Sequence, residues 1–300
     1  MNNQETKTAF IALIGRPNAG KSTLLNKLLG EKIAAVSRKP QTTRTAITGI
    51  LTRENVQYVF LDTPGVHRPR TKLGDYMMKA VGTATADVSL LLMVVEPVPE
   101  IGAPEEEIFR RFEKSGVPVI LLINKIDLIK PEEILKVIDV YAKRFPFAAV
   151  IPVSGKTGEG VDDIFREAEP FLQTGDWFFP SDMITDQPER TIAAEIIREK
   201  ILRLTDQEIP HGVAVMIEGF RETKDLIDIR AEIYCEKPGH KKILIGKDGQ
   251  MLKKIGSFAR EDLEAFFGVH VNINLWVKVK ENWRDNELIL NSFGFSKKDL

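Results

Sequence analysis

Residues 15–22 read Gly15-Arg16-Pro17-Asn18-Ala19-Gly20-Lys21-Ser22, a G-x-x-x-x-G-K-S loop set between an apolar run at 9–14 and a helix-like stretch at 22–29. No other feature constrains the fold as much, because such a loop works only with a strand before it and a helix after it. The glycines let backbone N–H groups turn inward around phosphate oxygens, and the helix aims its N-terminus at the same anion. Residues 9–29 are therefore predicted to open a doubly wound, mostly parallel α/β sheet that binds its ligand at the carboxyl ends of the strands. Lys21 supplies a mobile positive charge to β/γ-phosphates and the Ser22 hydroxyl can ligate Mg²⁺, with Gly15, Asn18, Ala19, Gly20 and Thr23 completing the cradle.

Two further motifs follow predicted strands. After the run 56–61 comes Asp62-Thr63-Pro64-Gly65, where Asp62 can hold Mg²⁺ through water and the Gly65 N–H can sense a γ-phosphate. After the run 117–123, which reads as a strand buried on both faces, comes Asn124-Lys125-Ile126-Asp127. Asp127 can accept from the guanine ring N–H and exocyclic amine together. Adenine offers no such pair of donors, and an unpaired buried carboxylate is costly, so the pattern selects guanine. Lys125 can lay its methylene stem over the base, and Asn124 can tie this loop to the phosphate loop. Val153-Ser154-Gly155-Lys156 ends the next strand and would close the base pocket through backbone N–H groups.

Three ordered motifs, each at the carboxyl end of a predicted strand, resemble the translation-factor-like class of GTPases, and Gln41-Thr42-Thr43-Arg44 fits as its first switch. A threonine hydroxyl there would complete the Mg²⁺ shell when the γ-phosphate is present. Thr43 is the first choice and Thr42 the second, since spacing alone does not decide. Catalysis is assigned to Lys21 and Thr43. Many members of the class position the attacking water with a glutamine just after Asp-x-x-Gly, but that position here is Val66, and neither Val66 nor Pro64 can orient water; His67 and Arg68 are the nearby polar residues. The resemblance thus implies charge neutralisation by Lys21 and Mg²⁺ with slow intrinsic turnover. It also implies K⁺ at Asn18, the position at which relatives with an apolar residue after Asp-x-x-Gly hold that ion.

At 300 residues the chain exceeds the usual single-domain range. Strands are predicted near 9–14, 46–53, 56–61, 88–95, 117–123 and 148–153, with helices near 21–29, 74–86, 104–115, 131–144 and 161–172. The runs 46–53 and 56–61, separated by Glu54-Asn55, should form the lone antiparallel hairpin. The division is residues 1–172 for the nucleotide domain, 173–190 for a linker with Gly175, Pro180 and Pro188, 191–280 for a second module, and 281–300 for a tail. Net charge is −1, so nothing global points to nucleic acid. The single Cys235 cannot form an internal disulfide, which fits a reducing, cytoplasmic setting and a core position. The longest apolar runs, such as 88–95, fall far short of the roughly 20 residues a spanning helix needs, and the polar residues 1–8 are no signal peptide.

The second module opens with Ile192, Ile196, Ile197 and Ile201 at helical spacing, followed by strand-like runs at 212–220 and 226–234. A basic helical segment then runs into Ile245-Gly246-Lys247-Asp248-Gly249, and a helix (250–267) and a strand (269–278) complete an α-β-β-α-α-β order. This resembles a KH domain of the prokaryotic type, whose G-x-x-G backbone passes close to sugar-phosphate while an apolar groove takes unpaired bases. Residues 237–254 carry six lysines against one aspartate, whereas residues 181–300 as a whole hold 19 basic and 21 acidic residues. Positive charge is focused at the turn, as phosphate contact requires, and Lys241, Lys242, Ile245, Gly246, Lys247, Asp248, Gly249, Lys253 and Lys254 are the candidate RNA contacts.

A GTPase domain followed by this module is similar to the bacterial GTPases of small-subunit ribosome assembly, over residues 9 to 280 or so. That likeness implies binding of 16S ribosomal RNA near its 3′ end and a role in 30S assembly. Gly155 stands where many relatives carry alanine, which should be tolerable because a backbone N–H makes the contact. The reading treats the chain as a monomer. It leaves open peripheral contact with the inner face of the cell membrane, and whether residues 283–300 pack on the second module or meet RNA. The alternative is a nucleotide-dependent RNA chaperone or scaffold in which hydrolysis is incidental.

Overall fold

The computed structural model describes residues 5–37, 39, 41–66, 69, 71–206 and 209–295. His67 and Arg68, named above as polar neighbours of Val66, and residues 296–300 of the tail lie outside the described residues. The chain forms two compact units. The first takes in the described residues within 1–33, 43–68 and 77–186, and the second those within 34–42, 69–76 and 187–300.

The first unit is built on β1 (Lys7–Ile14), α1 (Lys21–Leu29), β2 (Ile47–Arg53), β3 (Val56–Asp62), α2 (Lys72–Ala84, whose first turn belongs to the second unit), β4 (Leu90–Val95), α3 (Ala103–Ser115), β5 (Val119–Ile123), α4 (Pro131–Arg144), β6 (Ala149–Pro152), α5 (Val161–Ala168) and β7 (Gln173–Thr174). Its sheet runs in the order β2-β3-β1-β4-β5-β6, with β7 pairing the start of β1. All pairs are parallel except the β2–β3 hairpin and the short β1–β7 pairing. Every residue of β4 and β5 is buried, as strands covered on both faces must be. On one face Met93, Leu121 and Ile123 pack against Phe109, Phe112, Val137 and Tyr141 of α3 and α4. On the other, Phe165 of α5 meets Tyr58 of β3 edge-on at 5.0 Å, and a Cβ on Gly49 of β2 would lie within 2.9 Å of methyls of Leu25 and Leu29 on α1.

Two stretches differ from the sequence expectation. The helix predicted over 161–172 stops at Ala168, because Pro170 has no N–H to continue it and the chain turns through a 3₁₀ segment, Glu169–Phe171. Residues 173–186, read as linker, are fixed to the first unit: Thr6 Oγ1 donates to Gly175 O (2.8 Å), Gln57 Nε2 to Phe179 O (2.9 Å), Ile50 N to Ile184 O (2.8 Å) and Thr185 Oγ1 to Thr48 O (2.6 Å).

The second unit contains α6 (Glu189–Leu204), β8 (Ala214–Glu222), β9 (Leu226–Cys235), α7 (Pro238–Ile245), α8 (Gln250–Phe267), β10 (His270–Val279) and α9 (Glu287–Ser292). Its three-stranded sheet has the order β10-β9-β8, with β9 antiparallel to β8 and parallel to β10. Ile192, Ile196, Ile197 and Ile201 of α6 and Ile255, Ala259 and Leu263 of α8 form one core with the inward residues of β9. Cys235 belongs to that core, and burial pushes its thiol pKa up, which makes it an apolar filler. The tail packs on this unit. Trp283 is fully buried, donates Nε1–H to Gly212 O at 2.9 Å, and meets Phe293 edge-on at 5.4 Å. Val36 and Thr42 are held on α6: Val36 N donates to Glu199 Oε2 (2.8 Å), Arg203 Nε to Val36 O (3.1 Å), and Arg198 Nη2 to Thr42 O.

Candidate functional site

The parallel order β3-β1-β4-β5-β6 brings the loops that follow these strands to one edge of the first unit's sheet, so motifs far apart in sequence become neighbours. The phosphate loop fits there only because of its glycines. A Cβ on Gly15 would sit 2.3 Å from Val94 O, and one on Gly20 (φ 96°) would sit 2.3 Å from Asn124 Nδ2. Gly65 is equally constrained, since its Cβ would lie 2.5 Å from Pro17 N. Val66 N donates to Gly15 O at 3.1 Å while its side chain enters the core, so residues 62–66 lie along the phosphate loop and Val66 offers no polar group.

Within this frame the predicted phosphate and metal residues converge. Lys21 is buried, with Nζ 3.2 Å from both Gly15 O and Arg16 O, and burial lowers its pKa against the pull of Asp62. Ser22 Oγ donates to Asp62 Oδ2 at 2.6 Å and lies 2.8 Å from Thr43 Oγ1, which is itself 3.3 Å from Asp62 Oδ2. Asp62 is fully buried. Desolvation raises its pKa, and the charge of Lys21 and the two hydroxyls oppose that rise without cancelling it. Its other oxygen, Oδ1, has no hydrogen-bond partner among the described residues. Two hydroxyls beside a buried carboxylate with a spare oxygen form a donor set suited to a hard divalent cation. Thr42 is not part of the cluster: its Oγ1 donates to Lys39 O at 2.6 Å.

The base loop is held just as closely. Asn124 Nδ2 donates to Ala19 O (2.9 Å), while Asn124 Oδ1 accepts from Lys125 N (2.8 Å) and Gly155 N (2.9 Å), so one buried amide ties three loops. Asp127 is exposed, and Ser154 Oγ donates to its Oδ1 at 2.7 Å. A Cβ on Gly155 would come 3.2 Å from the backbone of Leu24, tighter than ordinary contact. Asn18 and Lys156 are exposed and Thr23 is half-buried. Sequence reasoning missed Glu96. Its carboxylate accepts from Arg16 Nη2 and Lys125 Nζ, each at 2.6 Å. Burial pushes the Glu96 pKa up, but the hydrogen bonds and charges of Lys125 and Arg16 hold it below the usual carboxylate range. The available signal was its position, one residue past the buried strand β4.

In the second unit the turn between α7 and α8 has the backbone of a phosphate-approach loop. Gly246 adopts φ 73°, ψ 177°, a region essentially reserved for glycine, and Asp248 and Gly249 also have positive φ. A Cβ on Gly246 would lie 2.7 Å from Met251 Cβ, whereas nothing stands within 4 Å of the Cβ position at Gly249. Lys242, Lys247, Asp248, Lys253 and Lys254 are exposed around the turn, Lys241 is half-buried, and Ile245 packs against the core. Ile243 and Phe258, 51% and 40% exposed, add apolar surface that the charge pattern alone did not reveal.

A family model described as a 50S ribosome-binding GTPase matches residues 10–125, and a KH domain model matches residues 208–284. GTPase Era of Ruminiclostridium cellulolyticum is 47% identical over 96% of this chain and 97% of its own length. GTPase Era of Caldanaerobacter subterraneus is 48% identical over 97% and 98%. A crystal structure of Era with MgGDPNP and nucleotides 1506–1542 of 16S ribosomal RNA superposes with a TM-score of 0.93 at 38% identity, covering 97% of this chain and 99% of that one. An Aquifex aeolicus Era variant bound to GDP–AlF₄⁻ gives a TM-score of 0.93 at 37% identity, covering 97% and 100%. With relatives of this identity along nearly its whole length, and with both the G-domain motifs and the G-x-x-G turn in place, the chain belongs to the Era family of GTPases.

Proposed function

We propose that this protein binds Mg²⁺–GTP in the first unit, hydrolyses it slowly, and holds RNA near the 3′ end of 16S ribosomal RNA at the α7–α8 turn during 30S subunit assembly. The convergence of Ser22 Oγ, Thr43 Oγ1 and the Asp62 carboxylate, with Asp62 Oδ1 free to accept, carries the reading. These three residues would hold Mg²⁺, which when bound neutralises charge on the transferring phosphoryl oxygens. Lys21 neutralises the β/γ-phosphates from the loop floor, and Gly65 offers its N–H to the γ-phosphate. Asp127, steadied by Ser154, accepts from guanine, and Asn124 keeps the base and phosphate loops in register. Val66 is buried and apolar and so cannot position water, which makes intrinsic turnover slow and supports K⁺ at Asn18 as an additional charge.

In the second unit Gly246 and Gly249 admit the RNA backbone, and the exposed lysines meet phosphates. The proposal extends to a cytoplasmic monomer. Sedimentation tests the oligomeric state, and flotation with anionic vesicles tests peripheral membrane contact. The buried Val66 gives weight to a second reading, an RNA scaffold with incidental hydrolysis. Single-turnover GTP hydrolysis with and without an oligonucleotide of the 16S 3′ end separates the two. Acceleration by RNA supports a coupled GTPase, and rates independent of RNA favour the scaffold.

A further inference from the structure

β4 lies between β1 and β5 in the sheet, so the residue just past β4 stands between the phosphate loop, which follows β1, and the base loop, which follows β5. That residue is Glu96. Oε2 takes a hydrogen bond from Arg16 of the phosphate loop and Oε1 takes one from Lys125 of the base loop, both at 2.6 Å. Lys125 Nζ also donates to Asn18 O at 2.6 Å, and Arg16 Nε lies 3.6 Å from Glu105 Oε1 on the first turn of α3. The Glu96 side chain is 26% exposed and those of Arg16 and Lys125 34% and 29%, so these contacts are screened less than open surface pairs.

We infer that Glu96 is a positioning residue of the guanine-nucleotide site: one carboxylate joins the phosphate loop to the base loop and holds the Lys125 stem where it must lie against the base. The inference rests on the reading of residues 15–22 and 124–127 as that site. Removing the charge leaves two cations facing a neutral group. Arg16 and Lys125 then repel, Arg16 keeps Glu105 and Lys125 the Asn18 carbonyl, and the two loops are left to that contact and the Asn124 amide. The groups that act on the γ-phosphate, Lys21, Ser22, Thr43 and Asp62, make no contact with Glu96, so the effect falls on how long nucleotide stays bound and not on the chemical step.

The test is the dissociation rate of a fluorescent GDP from the full chain and its variants, with single-turnover hydrolysis measured at saturating GTP. Glu96→Gln should speed release of GDP and of a non-hydrolysable GTP analogue alike, by about tenfold, with the hydrolysis step within about twofold of the unmodified rate. Glu96→Asp keeps the charge but is one methylene shorter, so its release rate should be intermediate. Lys125→Met should speed release, and adding Glu96→Gln to it should change the rate little further, because Glu96 works through Lys125. If Glu96→Gln does not fold, the pair Arg16→Gln and Lys125→Met carries the test, since two cations that share the Glu96 carboxylate should show non-additive release rates. An unchanged release rate in Glu96→Gln, or additive effects in either pair, overturns the inference. Failure of the unmodified chain to bind the fluorescent GDP would instead overturn the nucleotide-site reading itself.

Discussion

Asp127 is exposed with Ser154 Oγ 2.7 Å from its Oδ1, and under the proposed function its carboxylate accepts from two guanine donors. Asp127→Asn should weaken GTP binding by roughly tenfold to a hundredfold and favour XTP, whose edge offers the complementary pattern. Competition titrations check this, and GTP binding that stays as before would disprove the base-pocket assignment. Gly65 makes a second prediction on steric grounds. Its Cβ would fall 2.5 Å from Pro17 N and 2.6 Å from Pro17 Cα, so Gly65→Ala must push residues 62–66 away from the phosphate loop. Hydrolysis should fall by at least about tenfold while RNA binding in GDP is retained, because the α7–α8 turn is untouched. Most of this chemistry was legible in sequence because the motif residues act through backbone geometry that the local sequence dictates. The choice between Thr42 and Thr43 was not legible. It depends on which hydroxyl faces Ser22 and Asp62, and the structure places Thr43 there at 2.8 and 3.3 Å. Glu96 carries no motif, since its importance comes from strand order.

The α7–turn–α8 element separates two glycines that look alike in sequence. Gly246 is needed twice over, for its φ/ψ and for the 2.7 Å gap to Met251 Cβ, whereas Gly249 is needed for φ alone and looks onto open space. Gly246→Asp with Gly249→Asp should abolish RNA binding and spare basal GTPase activity, but it should also lower the thermal midpoint of the second unit. Gly249→Asp alone is the cleaner probe: strain of about 1–2 kcal/mol from its positive φ, and loss of RNA affinity through a carboxylate facing phosphate. Unchanged RNA titrations with that variant would remove the turn from the RNA site. Elements such as α1 and α4 were legible to the residue, because Gly30 closes the first and Pro131 opens the second. The end of α5 and the docking of residues 173–186 were not, because a proline inside an amphipathic pattern and single hydrogen bonds, from Gln57 to the Phe179 backbone and from Thr185 to Thr48 O, leave no periodic trace. The tail was equally silent, since its anchors, the Trp283 indole on Gly212 O, the Arg284–Glu236 ion pair and Phe293 against Tyr234, are scattered single residues without a period.

The core around α6 and α8 shares no residue with the core around α3 and α4, so Lys21→Ala should remove nucleotide binding or hydrolysis and leave RNA affinity in nucleotide-free protein intact. A concerted loss of RNA binding would contradict that independence. RNA affinity should fall with salt, with a slope of roughly −0.7 per phosphate contacted, and Lys242→Ala with Lys253→Ala should flatten it by about 1.4. If Thr43 and Gly65 respond to the γ-phosphate, affinity should also be higher in a non-hydrolysable GTP analogue than in GDP; equal affinities would remove the switch. Hydrolysis should run faster in K⁺ than in Na⁺, and equal rates would exclude the ion assigned to Asn18. The second unit is assembled from three separate stretches of chain, with Glu199 and Arg198 of α6 receiving residues 36 and 42. During synthesis, the described residues of 34–42 and 69–76 leave the ribosome long before α6, Asp285 and Phe295 exist to receive them, so a nascent chain with a finished phosphate loop still has both segments unanchored. The chain must be translated through α6 before the segment leading into Thr43 acquires the neighbours it has in the fold.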